Sequence, residues 1–177
     1  MEIKTKKLTA KEFSSLKKKF GQHGIDGLYP LFRKPLCEKQ NGNAIIDVTT
    51  DDIKPSIEQA FSACHAHICG EGLNRVNDIA TYLGSENFGS FISESKTILL
   101  EIYSYTDELQ MGDVSTVTDS ILSGAQSGAT IIWWCHEAAD MKEKLELNII
   151  GLKENPKRED RTRDSDEKAV KNSDGVN

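Results

Sequence analysis

With 177 residues and 37% hydrophobic content, the chain has the length of one ordinary domain and enough apolar material to bury a core without disulfide or metal staples. Its net charge of −6 is unevenly spread: residues 1–20 hold seven lysines against two glutamates, +5, residues 153–177 are balanced at seven of each sign, and −11 falls on residues 21–152. So acidic a body excludes a nucleic-acid-binding core, because neutralising phosphates takes clustered Lys and Arg. No stretch approaches the ~20 apolar residues of a membrane span, and the charged N-terminus lacks the apolar run of a signal peptide. A soluble, cytoplasmic protein with no integral membrane segment is expected. Four cysteines, at 37, 64, 69 and 135, are too sparse for a disulfide scaffold and read as reduced thiols.

In chain order, the first signal is Thr9 with Glu12 three residues on and Leu8 and Phe13 as the flanking apolar pair, a capping box with a hydrophobic staple. A helix therefore starts at Thr9, buries the Phe13, Leu16 and Phe20 stripe, carries Lys11, Lys17, Lys18 and Lys19 elsewhere, and stops at Gly21. Gly24 to Leu36 is broken by Gly27, Pro30 and Pro35 and predicts at most a short helical turn, and Glu38 to Asn43 predicts a loop. Ala44 to Val48 is a short apolar run. Thr50 is placed to cap a helix with Asp51 and Asp52 in its first turn, favourable at the positive end of the helix dipole, and with Ile53, Ile57, Ala60 and Phe61 on its buried face.

Beyond this point the pattern predicts a strand over Cys64–Cys69, a helix over Leu73–Leu83, a strand over Thr97–Tyr105, a helix from Met111 or Asp113 to Leu122 closed by Gly124, and strands over Thr130–Cys135 and Leu145–Leu152 joined as a hairpin. The fold class is α/β, an α+β two-layer sandwich, with a mixed four-stranded sheet and helices mainly on one face. Three regions follow: a basic helix and loop over 1–43, the folded domain over 44–152, and a charged tail over 153–177 with too little apolar surface to offset the entropy of ordering.

This succession resembles the C-terminal domain of the FtsZ branch of the tubulin superfamily, from about residue 44 to 152. Asp47-Val48-Thr49-Thr50-Asp51-Asp52-Ile53-Lys54 sits where FtsZ carries its catalytic loop, an Asn-x-Asp-x-x-Asp pattern opening a helix. Gly70-Glu71-Gly72-Leu73-Asn74-Arg75 is similar to the turn that begins the next FtsZ helix. Ile98-Leu99-Leu100-Glu101-Ile102, the Val114–Ile121 helix, and Ala129-Thr130-Ile131-Ile132-Trp133 with Met141-Lys142 before Leu145–Gly151 follow in the family's order. The phosphate-binding half of the family has no counterpart here: there is no G-x-x-x-x-G-K-[ST] and no dense glycine cluster. No cofactor bound by the chain alone is therefore expected, and GTP enters only through a partner chain.

The resemblance implies that the loop meets the nucleotide pocket of a neighbouring subunit. Position by position, Asp52 matches the family's final Asp, Asp47 its Asn, and Thr49 stands where the family has its first Asp. Losing one of two water-orienting carboxylates impairs hydrolysis in trans. Asp47, Thr49, Thr50, Asp51 and Asp52 are thus the candidate partner-binding residues, with Asp52 and Asp47 as the candidate catalytic pair; for Asp51 and Asp52 the bland alternative is charge complementarity at a helix start. The expected partner is an FtsZ-like GTPase or a separate nucleotide-binding half, with self-association as a further mode. The implied role is an interaction module of cell division or the cytoskeleton that caps or modulates FtsZ-type filaments, the alternative being a split GTPase half.

A second alternative comes from the residues themselves: His65, His67 and Cys69 alternate along one strand face, zinc-compatible types that would suggest a metal-dependent hydrolase, although their spacing matches no standard metal motif. Trp133 and Trp134 must point to opposite faces, so the face turned away from the predicted helices needs a cover. The Thr9–Phe20 helix is the candidate, with a partner protein as the other.

Overall fold

The structure, a computed structural model, describes residues 1–28, 44–105, 108–137 and 142–154. Thr97–Ser104 is buried along its whole length, and Leu145, Leu147, Asn148, Ile149, Ile150 and Leu152 are buried on the strand beside it. A strand whose side chains point alternately to two faces can be so only if both faces are covered. These two strands form the centre of a six-stranded mixed sheet.

The elements run β1 (Glu2–Lys7), α1 (Ala10–His23), a 3-10 turn (Gly24–Leu28), β2 (Ala44–Ile46), α2 (Thr50–Gln59), β3 (Ala60–Glu71), α3 (Arg75–Leu83), α4 (Glu86–Ile92), β4 (Thr97–Ser104), α5 (Met111–Gly124), β5 (Thr130–Glu137) and β6 (Lys144–Glu154). The strand order is β1-β3-β6-β4-β5-β2. Only the β4–β5 pair is parallel; the other four are antiparallel.

The mixed α/β sheet expected from the sequence is present, with two further strands at its edges. β1 went unread because Glu2-Ile3-Lys4-Thr5-Lys6-Lys7 has one apolar residue, as suits an exposed edge strand guarded by lysines. The expected β5–β6 hairpin does not form. β4 lies between the two strands, since the two most apolar strands take the centre and sequence neighbours need not pair. The turn residues of that hairpin, 138–141, lie outside the described residues, as do 29–43 and the tail 155–177.

One face of the sheet carries Ala66, Ile68, Ile98, Leu100, Ile102, Leu145, Leu147 and Ile149 against α3, α4 and α5. Helices α4 and α5 meet so closely that a Cβ on Gly124 would lie 2.7 Å from the Gly89 Cα. The opposite face carries Ala63, Leu99, Trp134, Ile150 and Leu152, covered by Phe13, Leu16 and Phe20 of α1, Leu28 of the 3-10 turn, and Ile53 and Ile57 of α2. Helices thus cover both faces rather than mainly one. The N-terminal segment is part of the domain, joined to it by β1 and by α1. Both tryptophans are packed, Trp134 under α1 and α2 and Trp133 against the other layer.

The start of α1 follows its sequence signal: the Glu12 N–H donates to Thr9 Oγ1 at 3.3 Å and the Thr9 N–H to Glu12 Oε2 at 2.9 Å. The helix runs past Gly21 to His23 and ends at Gly24, whose φ of +61° suits a residue without Cβ. Lys17 Nζ donates to the carbonyls of Glu58 and Ala60 at 2.9 Å each, tying α1 to the end of α2. Phe61, expected in the core, is 56% exposed, because α2 ends at Gln59 and β3 turns this side chain outward.

Removing one ring of the α1 stripe tests this packing. Phe20→Ala is expected to lower unfolding free energy by about 3–5 kcal/mol in urea melts, and Phe61→Ala by less than about 0.5 kcal/mol. Equal effects would contradict the placement of α1 as core.

Candidate functional site

Two features stand out, an exposed acidic loop and a buried belt of polar side chains on the α1–α2 face. The loop, Asp47 to Asp52, connects β2 to the first turn of α2. Asp47, Thr49, Asp51 and Asp52 are exposed, Thr50 is half-buried and Val48 is buried. Val48 anchors the loop to the core while the carboxylates face outward.

Its geometry comes from helix capping. Thr49 precedes α2 in extended conformation, and both its N–H and its hydroxyl donate to Asp52 Oδ2, at 2.8 and 2.7 Å. Those two bonds, the hydroxyl first, hold the Asp52 carboxyl below its usual range. The Asp47 Oδ1 accepts the Val48 N–H at 2.8 Å, a local turn contact. Thr50 faces the end of α1: its Oγ1 accepts the Ile25 N–H at 3.4 Å, and a Cβ on Gly24 would lie 2.3 Å from that oxygen. A groove of about 180 Å³, lined by Lys17, Phe20, Gly24, Thr50, Lys54 and Ile57 among others, lies beside the loop. That is smaller than the roughly 300–1,000 Å³ of small-molecule sites.

The belt was not read from the sequence as a unit. Its first row runs across the sheet from exposed Lys4 through His67, Asn148, Glu101 and Trp134, and its second from exposed Glu2 through Cys69, Glu146, Tyr103 and His136. Glu101 has no exposed surface. Its Oε1 accepts from the Tyr103 hydroxyl at 2.7 Å and Trp134 Nε1 at 3.1 Å, and its Oε2 from Asn148 Nδ2 at 3.2 Å. His136 Nε2 lies 3.3 Å from Oε1, at ion-pair distance, and its ring stacks on Tyr103 with centroids 5.0 Å apart. Three neutral donors on one carboxylate are what a buried Glu requires. The legible signal was a Glu and an Asn inside otherwise apolar strands, Leu99-Leu100-Glu101-Ile102 and Leu147-Asn148-Ile149.

His65, His67 and Cys69 share the face expected of them. His67 Nε2 is 2.8 Å from Glu146 Oε1, and among the described residues no three His, Cys, Asp or Glu side chains gather as metal ligands. Burial raises the thiols of Cys64 and Cys69 and pushes Cys135 up to about 11, so none of the three is set up as a nucleophile. All three are free cysteines, and Cys37 lies outside the described residues. No described helix is long and apolar enough to cross a membrane.

Burial, with His67 beside it, depresses His65 from 6.5 to about 4. A base whose native pKa lies below its unfolded value takes up a proton on unfolding. Stability is therefore full above about 6.5 and falls as pH drops toward 4, by about 3 kcal/mol in all. Urea melts across this window should show the decline in the wild type and a flatter profile in His65→Gln; identical profiles would contradict it.

Comparison with protein-family models gives no match, and neither does comparison with curated proteins. Solved structures do match. An FtsZ W319Y mutant from M. jannaschii superposes with a TM-score of 0.52 at 15% identity, over 63% of this chain and 34% of that one. An empty FtsZ dimer from the same organism gives 0.50 at 18% identity, over 73% and 35%. The chain spans about a third of the length of the FtsZ chains it matches. Over the matched share, its fold is like that of these FtsZ structures.

Proposed function

We propose that this chain is a protein-interaction module of FtsZ-type polymers, engaging an FtsZ-like GTPase through the loop from Asp47 to Asp52 and capping or modulating its filaments. The observation that carries this reading is the loop itself: exposed carboxylates on a capped, core-anchored turn, at the position where the resemblance puts the filament contact. A module of this kind offers one contact face and no nucleotide pocket of its own. It joins a filament end and stops extension there. GTP belongs to the partner chain.

A second reading is favoured by one feature of Asp52. Its carboxyl is held ionised by Thr49, and Thr49 occupies Oδ2 through both bonds. Oδ1 is then the oxygen available to orient a water in a partner's pocket, making the chain a split GTPase half with Asp52 and Asp47 as its catalytic residues. Thr49 in place of a second carboxylate weakens this role.

Adding the chain to a polymerising FtsZ at stoichiometric concentrations should change both the sedimented fraction and GTP turnover, and Asp51→Lys combined with Asp47→Lys should remove the effect. Unchanged sedimentation and turnover would contradict the module. In the split-GTPase reading, Asp52→Ala abolishes turnover in a mixture with the nucleotide-binding half, and undiminished turnover excludes it.

A further inference from the structure

We infer that Glu101, His136 and Tyr103 form a positioning post for the acidic loop, fixing it through strand β2. The inference deepens the reading of residues 47–52 as a contact loop and rests on it. Besides Val48 in the core and Thr50 against the end of α1, the loop is held at its two ends. One is α2, seated in the core by Ile53 and Ile57. The other is β2, which ends at Ile46, immediately before Asp47.

β2 is three residues long and lies at the sheet edge, paired with β5, Ala44 opposite His136 and Ile46 opposite Cys135, with an irregularity between them. So short an edge strand has little stability of its own. Its position is set by the end of β5. That end is held from beneath: Trp134 and His136, two residues apart on one face, both reach Glu101 Oε1, and the Tyr103 hydroxyl bonds to the same atom. Tyr103 also stacks on the His136 ring, and Asn148 ties the other oxygen of Glu101 to β6 at the centre of the sheet. A continuous path thus runs from the sheet centre through Glu101 and His136 to β2 and the loop.

The chemistry explains why a polar group stands there. His136 Nε2 lies 3.3 Å from Glu101 Oε1, at ion-pair distance and without a hydrogen bond, and its ring is held by that proximity and by the stack on Tyr103. The hydrogen bonds of Trp134 and Tyr103 to Glu101 add direction to the register set by the apolar pattern, and a one-residue slip would turn the β5 side chains over. Asn148 Oδ1 and His136 Nε2 have no hydrogen-bond partner among the described residues, so the network is joined by hydrogen bonds through Glu101 alone.

The test is backbone 15N relaxation on the full chain, comparing wild type with His136→Phe, which keeps a ring on Tyr103 and removes the nitrogen that faces Glu101, and with Glu101→Gln. In wild type, order parameters for residues 46–50 should be about 0.85; in His136→Phe they should fall below about 0.6 while α5 and β6 stay near 0.85. Glu101→Gln serves as the second variant, with the same local loss expected. Unchanged values at 46–50 in folded His136→Phe would overturn the inference, as would an equal loss across all elements. Because the readout is taken on the free chain, its failure leaves the filament reading untouched, and an inert chain in the filament assay leaves the positioning result standing.

Discussion

The burial of β4 and β6 on both faces is the constraint from which the rest of the structure follows. An antiparallel sheet tolerates water on one side, and its strands then alternate apolar and polar residues. Here Leu99, Ile150 and Leu152 face one way while Ile98, Leu100, Ile149 and Leu147 face the other, so two apolar layers must be covered. Helices α3, α4 and α5 cover one. The second requires α1, and α1 is brought there by β1 pairing along β3 and by Lys17 on the carbonyls at the end of α2. The basic N-terminal arm and the acidic body are therefore parts of one core. The positive charge of the arm stays on the outer side of a helix whose inner side is Phe13, Leu16 and Phe20.

The same constraint makes the polar belt informative. A carboxylate with no exposed surface costs several kcal/mol unless bonded. Glu101 meets that cost with Tyr103, Trp134 and Asn148, drawn from three different strands. Fixing one buried carboxylate thereby fixes the mutual placement of β4, β5 and β6. The loop inherits that order through β2 at one end and through α2 at the other, which is how an exposed turn of polar residues comes to have a defined shape.

Much of this was legible in the sequence, and the failures have physical causes. The Thr9 and Glu12 pair marked the start of α1, and Thr50 with Asp51 and Asp52 marked the start of α2 one residue late, the cap being Thr49, because capping chemistry is local. The core strands were legible from continuous apolar runs. The edge strand β1 was not, since its stability comes from β3 and its own residues are lysines suited to water. Helix α4 was missed because Glu86–Ile92 is short and follows Gly84, a signal that reads as a terminus; Ser85 in fact caps it. The placement of β4 between β5 and β6 is decided by global burial, which local pattern does not carry. The individual residues of the belt were visible, but their convergence on Glu101 depends on registers across three strands.

In the proposed complex, the face around Asp47 to Asp52 is the one that meets an FtsZ-type partner. The most direct measurement of that contact is site-specific photo-crosslinking in a mixture with polymerising FtsZ, with a photo-reactive residue placed at position 51 and, as control, at the partly exposed position 122 on α5. The account predicts a covalent adduct with FtsZ from position 51 and none from position 122. An adduct from position 122 without one from 51, or no adduct from either, would contradict it.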